Sequence, residues 1–231
     1  MNLDKNAPRF LGAAFLIVIV TSAISGTFHD SVVGSSSISE ILSNIPNNLT
    51  MMHISILGGM LNSTGIIILA VLLYIVLKKQ NKIIALVALS LWLAEAIFYA
   101  IMQIGSLALI PLSMDFVQAG APLNSFYQTL GEFLYTGVYR QGLTIHMWFY
   151  CIGGLLWYSL FYRSKYIPRV ISLFGVIAVV LGLAGIVVEF LGSVVPIFVY
   201  VPIGLFEFII GFWLLLRGIK DSSEKQKEEN I

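Results

Sequence analysis

Charge is scarce in this sequence. Asp, Glu, Lys and Arg make up 11% of its 231 residues, where soluble domains average about 25%, and the mean hydropathy is +0.91. A water-soluble chain is excluded, because too little polar surface exists to cover so much apolar side chain. The formal net charge is only +1, with no basic block inside the chain. The phosphate-neutralising contacts that nucleic acid requires are therefore missing, and no nucleic-acid partner is predicted. Cysteine is reduced to Cys151, so no intrachain disulfide forms. Its thiol, in an apolar run, reads as a small buried hydrophobe. Catalytic signatures are absent too: the sequence has no G-x-S-x-G elbow, Walker loop, dinucleotide fingerprint or H-E-x-x-H pair. The sequence points away from an enzyme, and no cofactor is predicted.

What is present is a series of long uncharged runs. A crossing of a hydrocarbon core about 30 Å thick takes about 20 apolar residues. Six runs suit that, at residues 10–26, 51–77, 83–112, 143–162, 170–191 and 197–216. They predict an all-α polytopic membrane bundle with a single transmembrane domain over residues 1–219. The mixed-charge tail at 220–231 reads as solvated and disordered. The first run, which follows Lys5 and Arg9 and ends in small residues, also suits a cleavable signal, but it is long for one. Proline is expected to end the third run near Pro111.

Orientation follows from the Lys and Arg residues, which cytoplasmic loops retain. With six alternating spans, all 13 except Arg140 fall on the side of both termini. That side holds the Lys78–Lys82 turn, the Arg163–Arg169 turn and the stretch after Arg217, so both termini are predicted to be cytoplasmic. The two long loops on the opposite side carry helical signals. Ser37-Ile38-Ser39-Glu40 has capping-box spacing, followed by Ile41, Leu42 and Ile45 at helical period. Asn124 or Ser125 is placed to cap a helix whose apolar face would be Phe126, Leu130, Phe133, Leu134 and Val138. Both read as interfacial surface helices, with a lid over a cavity as the alternative.

Ionisable groups inside hydrocarbon are costly and mark functional candidates. Glu207 precedes Arg217 by ten residues, roughly 15 Å of helix, and Glu95 follows Lys82 by thirteen, about 20 Å. Both belong deep in the bilayer. Glu95 shares a polar helical stripe with Trp92, Tyr99, Gln103 and Ser106, against which Ser55, Asn62 and Ser63 of the second span are placed to pack. Glu95, Glu207, Asn62, Tyr99 and Gln103 are therefore the candidates for binding a proton or polar ligand in an intramembrane cavity. The bland alternative is that the two glutamates are uncharged and act as hydrogen-bonding glue between helices. Gly175, Gly182 and Gly185 on the fifth span, and Gly204 and Gly211 on the sixth, form small-residue stripes that let these helices approach closely. His53, His146 and Glu189 are estimated at one common depth, so a metal or haem between them is a further alternative, although no two of the histidines share a helix.

Several stretches carry a resemblance. They are the hairpin Leu72 to Leu86 with Leu93-Ala94-Glu95-Ala96, the turn Tyr162 to Arg169, and the ending Pro202 to Glu207 to Trp213-Leu214 with Arg217-Gly218. In these the chain resembles, over nearly its whole length, the prokaryotic membrane proteins grouped as domain of unknown function 4386. The resemblance implies six spans in a prokaryotic cell membrane and supplies no activity or catalytic residue. It implies an Arg three residues before the third-span Glu, where Trp92 stands here, so an ion pair to Glu95 does not carry over. Three functional readings result: binding or translocation of a small molecule or lipid, with proton coupling; a metal- or haem-dependent intramembrane enzyme; and a non-catalytic helper docking another membrane protein.

Overall fold

The computed structural model describes residues 3–34 and 37–219. The predicted tail lies outside them. Every described element is helical: α1 (Leu3–Val33), α2 (Ile38–Asn44), α3 (Leu49–Leu77), α4 (Lys82–Gln118), α5 (Phe126–Glu132), a π-helix (Phe133–Arg140), α6 (Gln141–Ser164), α7 (Arg169–Phe190) and α8 (Val201–Arg217), with 3-10 turns at Ile45–Asn48 and Ile197–Val199. The chain is an all-α membrane protein. Five helical stretches are long and apolar enough to cross a bilayer: Ala7–Val33, Ile38–Leu77, Lys82–Gln118, Arg169–Phe190 and Ile197–Arg217. At 24 residues, α6 is about 36 Å long, but His146 and its tyrosines and tryptophans keep its hydropathy below that of the other five.

Local chemistry explains the boundaries. Asn81 starts α4, its Oδ1 accepting from the backbone N–H groups of Ile83 and Ile84 at 3.1 and 3.0 Å. The capping box at α2 is formed: the Ser37 N–H donates to Glu40 Oε2 at 2.9 Å, and the Glu40 N–H to Ser37 Oγ at 3.4 Å. Pro111 does not end its helix, contrary to the sequence expectation, and α4 continues to Gln118. One lost hydrogen bond is tolerated where unwinding in apolar surroundings would strand several backbone groups.

The chain divides into two compact units. The first comprises the described residues of Met1–Ile19, Gly65–Glu95 and Met147–Ile231, and the second Val20–Thr64 and Ala96–His146. In the first unit the core is aromatic, with Phe15, Trp92, Trp157, Tyr158, Phe161 and Phe206 all fully buried. In the second, Val32, Val33, Ile41, Leu42, Ile45, Met52, Ile56 and Phe116 form one cluster. There α2 and α5 do more than lie on a surface. Ile41 and Leu42 are fully buried, and a Cβ on Gly131 of α5 would come within 3.1 Å of Leu42 and 3.2 Å of Ile38.

The apolar face of the second loop helix agrees with expectation at Leu130 and Leu134 and differs at the two phenylalanines. Phe126 and Phe133 are exposed, while Tyr127, Leu130, Leu134 and Tyr135 pack inward. Tyr135 and Tyr139, four residues apart in the π-helical stretch, stack with ring centroids 6.2 Å apart.

Candidate functional site

In the first unit the two buried glutamates come together. Along α4 the buried positions are Ala85, Ala88, Trp92 and Glu95, and along α8 they are Ile203, Phe206, Glu207, Ile210, Gly211 and Leu214. Each carboxyl therefore lies on its helix's inward stripe, since residues three and four apart share a face. Glu95 and Glu207 both line one small cavity, walled otherwise by Val18, Ile66, Leu69, Trp92 and Tyr150. The space open to water-sized centres is about 10 Å³, the room of about one water molecule. No Lys or Arg lines it.

The aromatic wall is fixed. The Trp92 indole N–H donates to the Tyr150 carbonyl at 3.1 Å, and the two rings stack with centroids 5.5 Å apart. Gly153 provides the seat, because a Cβ there would collide with the Trp92 indole. The Tyr150 hydroxyl hydrogen-bonds Glu207 and lies 3.0 Å from the hydroxyl of Tyr158. Tyr158 in turn packs on Phe206, 4.3 Å between centroids.

Glycines draw α8 into place. A Cβ on Gly175 would fall 2.5 Å from the Phe206 ring, one on Gly182 2.6 Å from Ile203, and one on Gly185 3.1 Å from Tyr200 and Val199. The stripe on α7 thus receives large side chains rather than a matching stripe. Gly211 faces α1 instead, with Leu16 within 2.9 Å of its Cβ position. Gly12 of α1, which sequence reasoning missed, meets the backbone of Leu215 and Gly211. Gly204 differs from expectation, with nothing within 4 Å of its Cβ position.

The model of the family described as Domain of unknown function (DUF4386) matches residues 10–218. The chain belongs to the DUF4386 family. No curated protein and no solved structure matches it.

The second unit of this DUF4386 protein holds the other candidates. Asn62 accepts a hydrogen bond at 3.1 Å from Thr21 Oγ1 of α1. Gln103 is 1% exposed and lies against Gly59, with neither amide atom hydrogen-bonded among the described residues. Tyr99 packs with Met102 and Tyr139 and meets the buried His146 edge-on at 4.9 Å. Sequence reasoning missed His29, buried at 1% exposure, whose imidazole stacks on Tyr139 at 3.9 Å. Burial, aided by nearby Tyr99 and Asp30, pushes the Tyr139 hydroxyl above the ordinary tyrosine range.

Of the proposed metal set, His53 is exposed on α3, His146 is buried in the second unit, and Glu189 belongs to the first unit. There Glu189 Oε1 accepts from the Tyr200 hydroxyl at 2.9 Å. Among the described residues no three His, Cys, Asp or Glu side chains are grouped to hold a metal ion.

Proposed function

We propose that this DUF4386 protein crosses a prokaryotic cell membrane six times, with both termini cytoplasmic, and couples the binding or translocation of a small solute to a proton held at Glu95 and Glu207. The observation that carries the reading is the convergence of two buried carboxyls from α4 and α8 on one water-sized cavity. Two uncompensated charges in hydrocarbon are expensive. A pair that shares a proton avoids that cost and gains a group able to load and release it. The cavity's size favours a proton over an organic ligand at this point, and places no requirement on where the solute binds.

The six crossings rest on α6, whose length suffices, and on the sorting of Lys and Arg to one side. A maleimide that cannot cross membranes is expected to leave Lys79→Cys unlabelled in intact cells and to label it after lysis; labelling from outside would overturn the topology.

Proton uptake into proteoliposomes under an imposed membrane potential tests the site. Glu95→Gln and Glu207→Gln should fold normally and lose uptake by about tenfold or more. Wild-type uptake in both variants would refute the proton site.

A further inference from the structure

Besides the pair itself, three features of the first unit point at how a proton would move there. The cavity has room for one water, and a buried water needs two to four polar partners. Glu95, Glu207 and Tyr150 are the polar residues lining it. The Tyr150 hydroxyl is already engaged with Glu207, and it continues to the Tyr158 hydroxyl at 3.0 Å, where either oxygen is able to donate. Tyr150 is held in place from behind by the Trp92 stack and by the indole hydrogen bond to its carbonyl.

We propose that a single water bridges Glu95 and Glu207, and that Tyr150 and Tyr158 extend this bridge into one proton relay. The inference rests on the proton-site reading and adds the path and its positioning residue. In the transfer, the Glu95 carboxyl gives its proton to the water as the water passes one of its own to the Glu207 carboxylate. One O–H bond breaks and one forms at each oxygen pair; no electrons are gained or lost, and the water is regenerated.

The tyrosines follow that proton. When Glu207 is a carboxylate, Tyr150 donates to it and accepts from Tyr158. When Glu207 holds the proton and donates to Tyr150, the single Tyr150 proton turns to Tyr158. The hydroxyl chain therefore reverses direction with the state of Glu207. Tyr158 acts on the site only through Tyr150, as a positioning residue, and its ring on Phe206 ties the reversal to α8, the helix that carries Glu207.

Infrared difference spectra after a pH jump, recorded on the full-length protein in proteoliposomes in H₂¹⁶O and H₂¹⁸O, test this together with the uptake assay. The wild type should show a water O–H band that shifts with ¹⁸O and a tyrosine band that changes on the jump. Tyr158→Phe should keep the thermal stability of the fold, shrink the tyrosine change to the part made by Tyr150 and slow uptake by about tenfold. Val18→Ile, which narrows the cavity, should weaken the ¹⁸O-sensitive band. If Glu207→Gln abolishes uptake while the wild type shows no ¹⁸O-sensitive band, or while Tyr158→Phe spectra and uptake match the wild type, the relay is wrong and the proton site stands. If neither Glu→Gln variant affects uptake, both fall. The wild-type spectrum decides the water even where a variant fails to fold.

Discussion

The two units bury polar side chains in contrasting ways. In the second, three of the side chains go into helix-to-helix hydrogen bonds: Ser55 Oγ donates to the Ser25 carbonyl at 2.8 Å, Ser63 Oγ to the Ala96 carbonyl at 2.8 Å, and Thr21 to Asn62. Each such bond joins two helices. In the first, Glu95, Glu207 and Tyr150 line a cavity instead. Polarity inside a membrane is therefore not by itself a sign of a site; what separates glue from chemistry is whether the groups consume one another or face open space.

The largest expected effect tests the packing that closes the first unit. Gly12→Val sets a side chain against the α8 backbone, which has no rotamer to yield. Overpacking of flexible contacts costs about 1–3 kcal/mol, so this rigid one should eliminate the folded monomer on size-exclusion chromatography in detergent. Gly204→Ala, with open space at its Cβ, should leave the elution profile unchanged; equal damage from both would dissolve the distinction.

Next in size is Tyr139→Ala in the second unit. It removes the ring stacked on His29 and should cost about 3 kcal/mol, read as a lowered Tm. A Tm within error of wild type would show that the stack bears little.

Smaller and opposite in sign, Gln103→Met replaces a buried amide that has no partner among the described residues, and should raise stability by about 1 kcal/mol. A drop in Tm would mean the amide is satisfied by something bound there.

The smallest effect is expected for Asn62→Leu, about 0.6 kcal/mol for one interhelical hydrogen bond in a membrane, with proton uptake unchanged. Loss of uptake would move Asn62 from glue to site and erase the contrast between the units.

The contrast also shows what a sequence can disclose. Helices and the capping box at Ser37 and Glu40 follow from hydropathy and local hydrogen-bonding chemistry, both of which act along the chain. That Glu207 meets Glu95 depends on which helices are neighbours, and no local rule supplies that. Tyr150 and Tyr158 were passed over because a tyrosine in a span reads as an aromatic filler until its hydroxyl has a partner. His29 lies just beyond the first apolar run as the sequence bounds it, while α1 continues to Val33. The inward face of the second loop helix was legible at Leu130 and Leu134, which pack on the core, and not at Phe126 and Phe133, which are exposed. Gly12-Ala13-Ala14 was a usable signal for close approach in the first span, whereas the repeat of Gly204 with Gly211 misled, since evenly spaced glycines do not all face a neighbour.

The seat of Gly12 on Leu215 and Gly211 bears on how the protein is made. α1 is synthesised before α8, so the part of its surface at Gly12 that seats on Leu215 and Gly211 stays open until α8 arrives. Until α8 arrives, α1 must wait in the bilayer or beside the insertion machinery with its small-residue face uncovered. A chain stopped short of α8 would carry that open face permanently, a mark by which membrane proteases could recognise an unfinished product.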